Sequence, residues 1–378
     1  MSRESLVGLR RELHAHPELS EEERGTAARI EAFLSPLGPD RVLAGVGGHG
    51  LVATFDSGRP GPELLVRCEL DALPIVELGD ADHRSTNHGV SHQCGHDGHM
   101  AMVCGLAEHV ARNRPAAGAV HLLFQPAEEI GAGAAAVLAD PAFAAVRPDI
   151  GVAIHNLPGH PLGAVVVKEG TLNPAVRSIV FRFTGRTAHA MDPSEGENPA
   201  LAIADLLRRA QAMIHDDVTS DDFALITTVH VRVGSVAYGV SAGDGEAHFT
   251  MRCWDNGRLA ALQAELVALA EQLAARDRLA LAWDTLEDFY SNHNDPAVTA
   301  TVRAAAADAG LEVITPDAPP LRAGEDFGLF TTVFPCCMVL LGTGVEADPL
   351  HSPTFDFPDE LIDVGVRLYE AIVARVFA

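Results

Sequence analysis

The chain has 378 residues, of which 47% are hydrophobic, and its formal net charge is −25. This length predicts two domains, because a single hydrophobic core seldom serves so many residues. The negative charge argues against nucleic acid and anionic membrane surfaces as partners, since both are themselves negatively charged. It favours a protein that acts on a small molecule.

No apolar run approaches the roughly 20 residues that are needed to cross a membrane. The N-terminal segment is charged and lacks the apolar stretch of a signal peptide. The six cysteines follow no framework spacing, so reduced thiols are expected. These features together predict a cytoplasmic protein.

The first half of the chain alternates helical and strand patterns. Two N-terminal segments have helical spacing, and the second opens with Ser20 and Glu23 in the spacing of a capping box and ends at Gly38. The helical patterns GHMAMVCGLAEHVARN and GAGAAAVLAD lie among the apolar strand patterns GLVATF, ELLVRCEL, AVHLLFQ and IGVAIH. Strands separated by helices predict an α/β fold with a mostly parallel sheet.

Beyond Pro174 the pattern changes to β-α-β-β-α-β, the order of a ferredoxin-like unit. Its strand patterns are SIVFRFTG, FALITTVHVRVG, EAHFTMRCW and LALAWDTLE. The first pattern then resumes, with two helical segments flanking the strand pattern CCMVLLGTG. We therefore predict one domain formed by residues 1–174 and 285–378, with a ferredoxin-like domain inserted at residues 175–284.

Polar side chains follow four strands of the predicted parallel sheet. They are Asp71, the pair Glu128 and Glu129, His155 and, in a loop further on, His351. In open α/β sheets, ligands bind beyond the carboxyl ends of the strands. Four separate strands therefore deliver carboxylates and imidazoles to one edge of the sheet.

The segment HQCGHDGHMA precedes a predicted helix and can reach the same edge. It contains Cys94, Asp97 and the histidines His92, His96 and His99. Imidazole, thiolate and carboxylate together are the ligand set of a borderline first-row metal such as Mn, Zn, Co or Ni. A structural zinc site would be closed and rich in cysteine, whereas this set is poor in cysteine and spread over the fold, which favours an open catalytic site.

Over nearly its whole length the chain resembles the dimetal amidohydrolases of the aminoacylase, hippurate hydrolase and auxin-conjugate hydrolase group, a subfamily of metallopeptidase family M20. The resemblance rests on the order and spacing of these segments: LHAHPELSEEE, ELDALPI, HQCGHDGHMA, QPAEE, GRTAHAMDP, NPALAI, GEDFG and LHSPTFDF.

This resemblance implies a catalytic domain that binds two divalent metal ions per subunit, with the inserted domain as a lid and dimerisation domain. It implies that Glu128 is the general base and that Asp71 orients a ligand. It also implies that His189 of the lid stabilises the transition state, usually in the partner subunit of a homodimer, which could assemble further into a tetramer. The metal ligands that it implies are Cys94, His96, Glu129, His155 and His351.

Two departures from the family pattern concern the substrate rather than the metals. Cys68 and Glu69 stand where most relatives have Ala-Asp, and an Asn-Val-Ile-Pro stretch of the lid is replaced by a segment that includes Tyr238. Arg252 retains the position of an arginine that faces the substrate carboxylate, and Asn156 is a second candidate substrate contact.

The resemblance favours a metal-dependent amidohydrolase that cleaves N-acyl amino acids or related N-acyl compounds. A dipeptidase or carboxypeptidase of the same family is one alternative, although it would prefer a different motif around Cys94. A deacylase of a non-amino-acid amide is another. A non-catalytic binding protein is disfavoured because the base Glu128 is present with all five candidate ligands.

Overall fold

The computed structural model describes residues 3–378, which fall into two compact units. Residues 3–172, 292–318 and 325–378 form the first unit, and residues 173–291 with 319–324 form the second.

Within residues 3–378 the α-helices are α1 (Arg3–Ala15), α2 (Arg24–Leu34), α3 (His96–Arg112), α4 (Gly133–Ala139), α5 (Ala200–Gln211), α6 (Asn256–Arg276), α7 (Pro296–Asp308) and α8 (Glu360–Val376). Short 3₁₀ turns lie at Ser35–Leu37, Phe143–Ala145, Pro193–Glu195 and Asp326–Thr332. No helix of this part of the chain is long and apolar enough to cross a bilayer.

The strands over the same residues are β1 (Arg41–Val46), β2 (Gly50–Asp56), β3 (Glu63–Glu69), β4 (Ala119–Gln125), β5 (Ile150–Leu157), β6 (Val165–Val166), β7 (Gly170–Asn173), β8 (Ala175–Thr184), β9 (Ala188–His189), β10 (Ala224–Val233), β11 (Val240–Ser241), β12 (Asp244–Cys253), β13 (Ala280–Phe289), β14 (Asn292–Asn294), β15 (Val313–Ile314) and β16 (Cys336–Gly342).

The first unit is built on an eight-stranded sheet with the order β1-β2-β4-β3-β5-β16-β6-β15. The central strands β4, β3, β5 and β16 are mutually parallel. At one side of the sheet β2 is antiparallel to β4, and β1 is antiparallel to β2. Every residue of β4 and β16 is buried, as expected for strands covered on both faces. The mixed α/β fold with a mostly parallel large sheet is therefore confirmed.

Helix α3 packs against α1 and α8 over the same core. The closest approach is at Gly365 of α8, where an added Cβ would lie only 1.9 Å from the sulfur of Met102. The absence of a side chain at this position lets α8 sit directly on α3. This contact fixes the helix that carries His96 at its first residue.

The second unit has the chain order β8-α5-β10-β12-α6-β13. Its antiparallel sheet has the strand order β10-β12-β8-β13. Helices α5 and α6 contribute Leu206 and Leu266 to a core shared with Phe181 and Phe249 of the sheet. A separate two-stranded ladder pairs β9 with β11.

The limits of the compact units differ from the predicted insertion at residues 175–284. Strand β13 remains paired with β8 as far as Phe289, which takes residues 285–291 into the second unit. The distant segment 319–324 also belongs there, because the side chain of Asn173 donates to the carbonyl of Ala323 over 3.2 Å.

The predicted capping box at Ser20 and Glu23 is wrong. Helix α2 begins at Arg24, and neither side chain caps it. The Ser20 hydroxyl instead donates to the Asp71 carboxylate over 2.7 Å, and the Glu23 carboxylate accepts from the Ala127 amide over 2.8 Å. These two side chains fasten the start of α2 to the loops that follow β3 and β4.

Candidate metal centre

The carboxyl ends of β3, β4 and β5 bring polar groups to one edge of the large sheet. Asp71 follows β3, Glu128 and Glu129 follow β4, and His155 lies near the end of β5. The turn before the glutamates is unusual, because Ala127 has a φ of 52°, a conformation that non-glycine residues rarely adopt. Such strained backbone is concentrated at functional sites.

The loop before α3 places Cys94 and His96 at the same edge. Gly95, between them, has a φ of 92° and precedes the first residue of the helix. A Cβ at this position would lie 2.4 Å from Oδ1 of Asn156, so only glycine fits here. The turn is therefore set both by its backbone conformation and by the neighbouring strand.

Hydrogen bonds fix the orientation of two of the imidazoles. Nδ1 of His96 donates to the Asp71 carbonyl over 2.8 Å, and Nδ1 of His155 donates to the Asn156 carbonyl over 2.8 Å. Each bond leaves Nε2 as the nitrogen with a free lone pair. In a metal-ligating histidine, a hydrogen bond from the nitrogen that does not bind the metal typically sets the tautomer.

The free nitrogens face the remaining candidate ligands. Nε2 of His155 lies 3.5 Å from Sγ of Cys94. Nε2 of His96 lies 3.8 Å from Oε1 of Glu129, and Nε2 of His351 lies 3.7 Å from the same oxygen. His351 has a φ of 65°, a second strained residue at this edge.

In each of three overlapping groups of residues, the potential ligand atoms lie within 4.8 Å of one another. They are Cys94 with His96 and His155, Cys94 with Glu129 and His351, and His96 with Glu128 and Glu129. The structure thus brings together all five sequence-predicted ligands and the predicted base.

These residues fit a pair of divalent cations. Nε2 of His96, Oε1 of Glu129 and Oδ1 of Asp71 are buried without a hydrogen-bond partner among the described residues. Unpartnered buried polar atoms are costly, and a cation between Nε2 of His96 and Oε1 of Glu129 would satisfy these two atoms. The donor set of one thiol, imidazoles and carboxylates suits a borderline first-row metal.

The electrostatics of the cluster also favour cations. Burial, followed by the charges of Glu129 and Glu128, raises the pKa of the Cys94 thiol well above its usual value. Burial raises the pKa of Glu129 to about 7, against the opposing effect of His96. A bound cation would oppose both shifts, because it stabilises the ionised thiolate and carboxylate.

The pKa values of the histidines move in different directions. Burial lowers the pKa of His155 to about 3, and burial also lowers that of His351. For His96, burial lowers the pKa, but Glu69, Glu129 and Asp71 outweigh it and raise the value overall. At neutral pH His155 is therefore the neutral imidazole that ligation requires.

Glu128 faces a second group of carboxylates. One oxygen each of Glu128, Glu325 and Asp326 lie within 4.8 Å of one another. Burial, then the charges of Glu325 and Glu129, raises the pKa of Glu128 well above its usual value. The buried Arg67 opposes this effect, and its Nη2 lies 2.6 Å from Asp326 and 3.0 Å from Glu325.

The sequence reasoning missed His99 and gave no role to Glu69. Nδ1 of His99 lies 2.6 Å from Oε2 of Glu69, which is itself ion-paired with Arg67. Nε2 of His99 lies 2.6 Å from Oδ1 of Asn156. The helical spacing of His96 and His99, three residues apart in the first turn of α3, could have indicated that both face the sheet edge.

Asp71 and Asn156 act on their neighbours in ways that the sequence did not specify. The carboxylate of Asp71 accepts from the Glu129 amide over 2.9 Å, while its carbonyl orients His96. Asn156 is fully buried and bonded to His99. Its Nδ2 is buried without a hydrogen-bond partner among the described residues, and its contact with substrate stays a prediction.

The remaining predicted residues, His189 and Arg252, lie in the second unit. His189 is exposed in β9, where its Nδ1 accepts from the Met191 amide over 3.0 Å. Val240 of β11 pairs with His189. Strand β11 includes part of the segment that replaces Asn-Val-Ile-Pro. Nε of Arg252 donates to the carbonyl of Arg322 over 3.2 Å.

Known proteins are similar to this chain over most of its length. The family model "Peptidase family M20/M25/M40" matches residues 65–375. The N-acetyl-L-cysteine deacetylase of Bacillus subtilis is 33% identical over 374 residues, which cover 97% of this chain and 87% of that protein. The N-acetyldiaminopimelate deacetylase of Anoxybacillus flavithermus is 28% identical over 362 residues, covering 96% and 95% of the two chains.

A solved structure is similar over the whole fold. The YXEP protein of Bacillus subtilis, a dinuclear metal binding peptidase from the M20 family, superposes with a TM-score of 0.83. It is 27% identical, and the match covers 99% of this chain and 98% of that one. The chain belongs to peptidase family M20/M25/M40. It is therefore a metal-binding hydrolase that cleaves amide bonds, as the sequence resemblance implied.

Proposed function

We propose that this protein is a metal-dependent amidohydrolase that removes the acyl group from N-acyl amino acids. The observation that carries the proposal is the convergence of all five candidate ligands with Glu128 at one sheet edge. The relatives that deacetylate N-acetyl-L-cysteine and N-acetyldiaminopimelate favour an N-acetyl amino acid as substrate. A benzoyl or another acyl group, and a non-amino-acid amide, are outcomes that the assay below separates.

Two divalent ions, drawn from Mn, Zn, Co and Ni, would be held by Cys94, His96, Glu129, His155 and His351. Bound there, they would lower the pKa of a water molecule and polarise the amide carbonyl. Cys94 and Glu129 would release their protons on binding, because ligation requires the thiolate and the carboxylate.

Glu128 would move the proton during the reaction. Its carboxylate takes a proton from the attacking water and returns it to the leaving nitrogen, the task of a general base that becomes a general acid. Its raised pKa keeps the carboxyl able to hold that proton between the two transfers. Asp71 holds His96 and the backbone of Glu129 in place through its carbonyl and its carboxylate.

We further propose that the second unit is a ferredoxin-like lid and dimerisation domain, joined to a catalytic domain formed by the first unit. His189 on this lid would donate a hydrogen bond to the developing oxyanion, an interaction of the type that is often the largest catalytic effect. We expect a partner subunit to supply it, in a homodimer or a tetramer. Arg252 would bind the substrate carboxylate, and a cytoplasmic location fits the reduced thiols.

The test is hydrolysis by metal-reconstituted protein. Chelated protein is reloaded with Mn, Zn, Co or Ni and assayed with N-acetyl, N-benzoyl and indole-acetyl amino acids. Release of the free amino acid by ninhydrin or mass spectrometry supports the proposal, and dipeptides serve as the comparison that would reveal a dipeptidase. The proposal fails if protein with bound metal hydrolyses none of these N-acyl compounds.

A further inference from the structure

A cavity of about 580 Å³ lies in the first unit, at the edge of the large sheet opposite the metal centre. It is lined where β1, β3 and β4 begin and where β2 ends, with Asp149 just before β5. Because β3 and β4 are seven residues long, roughly 20 Å of strand separates the two edges. Its volume falls within the roughly 300–1,000 Å³ of small-molecule sites.

One wall of this cavity is a chain of hydrogen bonds that runs through the buried side chain of His121. His121 is 3% exposed, and its Nε2 lies 2.7 Å from Oε2 of Glu63 while its Nδ1 lies 3.0 Å from Oγ1 of Thr54. Burial lowers the pKa of His121, so the neutral ring donates from Nε2 to the carboxylate and accepts from the threonine hydroxyl. This chain of hydrogen bonds fixes the position of Glu63 and leaves its Oε1 free to bind a ligand.

The opposite charges in the lining are not paired with each other. Arg41 and Arg147 both line the cavity, and neither guanidinium has a hydrogen-bond or ion-pair partner within residues 3–378. The carboxylates of Asp56 and Asp149 each accept a backbone amide through one oxygen, which leaves the other oxygen available. The cavity therefore offers two free guanidiniums and a set of free carboxylate oxygens.

Arginine forks recognise carboxylates, and carboxylates recognise ammonium groups. Asp40 also lines the cavity, although it is ion-paired with Arg114, which lies outside the lining. The lining therefore has more carboxylates than guanidiniums. A ligand with one carboxylate and two ammonium groups complements this balance better than a monoamine does. We propose that this cavity is a second binding site, separate from the metal centre, for a free diamino carboxylic acid.

Such a site would distinguish product from substrate, and this part of the inference rests on the proposed function. Acylation converts the α-ammonium group of an amino acid into a neutral amide. An Nα-acyl diamino acid therefore carries one ammonium group for Glu63, Asp56 and Asp149 to bind, whereas the free diamino acid carries two. The cavity would bind the released amino acid more tightly than the molecule from which it came.

The experiment is isothermal titration of L-lysine into the metal-loaded full chain and three variants. We expect one saturable site in the wild type. The double variant Arg41→Gln/Arg147→Gln should bind L-lysine roughly ten to a hundred times more weakly, as expected for the loss of charge-assisted bonds. Asp56→Asn should weaken the binding of L-lysine more than the binding of L-alanine. Arg367→Gln, an exposed arginine of α8, is the matched control and should leave the affinity unchanged.

Nα-acetyl-L-lysine, titrated in parallel, should bind at least tenfold more weakly than L-lysine. The proposal is overturned if no saturable binding occurs, if the double arginine variant binds as tightly as the wild type, or if acetylation leaves the affinity unchanged. Binding at the metal centre alone would give the second of these results. Because the readout involves no turnover, its failure leaves the proposed hydrolase activity standing, and an inactive protein would leave the binding result intact.

Discussion

Replacing each of the adjacent carboxylates Glu128 and Glu129 by glutamine should have two different consequences. Oε1 of Glu129 lies 3.8 Å from Nε2 of His96 and 3.7 Å from Nε2 of His351, so this residue belongs to two ligand groups. Glu129→Gln removes an anionic ligand from both, and the protein should lose bound metal as well as activity.

Glu128→Gln should keep the metal and the substrate affinity but lose turnover. A general base contributes about 10²–10⁴ in rate, so we expect a loss of roughly a thousandfold or more. A thousandfold corresponds to about 4 kcal/mol of activation free energy. Glutamine has nearly the same shape, so the loss would reflect proton transfer rather than packing.

The assay pairs elemental analysis after metal reconstitution with steady-state hydrolysis of an N-acetyl amino acid. Glu360→Gln, at the exposed start of α8, is the matched control and should behave like the wild type. Equal metal contents together with equal residual rates in the Glu128 and Glu129 variants would refute the separate assignment of base and ligand.

Three further predictions concern metal content, pH and the lid. Cys94→Ala should lower the metal content from the expected one to two equivalents, because Cys94 belongs to two ligand groups; an unchanged content by elemental analysis would contradict this. The pKa of Glu129 in the folded chain, about 7, lies above its usual 4.5, so the carboxyl contributes stability to the metal-free fold at low pH that is lost as the pH rises through 7. As the pH rises from 5 to 7, the range between these two pKa values, the thermal midpoint of chelated wild type should therefore fall relative to that of chelated Glu129→Gln; equal slopes would argue against it. His189→Ala should retain metal and lose roughly two to three powers of ten in rate, and mixing it with Glu128→Gln should restore about one working site per heterodimer. No recovery of activity after confirmed subunit exchange would mean that His189 acts within its own chain or has no role.

Much of the fold was predictable because its signals are local. The strand patterns ELLVRCEL, AVHLLFQ and IGVAIH are mostly apolar, and the strands β3, β4 and β5 that they predicted lie in the parallel centre of the large sheet. Strand β1 escaped prediction because it is an edge strand with exposed residues, and two-residue strands such as β6 carry no periodicity. The fastening of 319–324 to the second unit depends on contacts between distant residues, which no local pattern encodes.

The candidate site was predictable where a motif named the residue, and unpredictable where geometry decides the partner. The resemblance implied that Asp71 orients a ligand, but the sequence could not show that its carbonyl, at 2.8 Å, accepts the hydrogen bond from Nδ1 of His96 while its carboxylate lies 3.7 Å from the same nitrogen. Ser20 and Glu23 had the spacing of a helix cap, and tertiary contacts with the loops at the sheet edge took precedence over that local role. The hydrogen bond between Glu69 and His99 depends on how far two side chains that are distant in the sequence extend toward each other, which no local pattern specifies.

The order of the strands in the large sheet has a consequence for biosynthesis. β16 lies beside β5 in the sheet, yet the whole of residues 173–291 separates them in the chain. As the chain leaves the ribosome, those residues can fold from contiguous sequence, whereas the larger sheet is complete only after β16, the last of its eight strands to be synthesised. His351 emerges later still, so a metal ion that needs all five ligands can be captured fully only after nearly the entire polypeptide has been made.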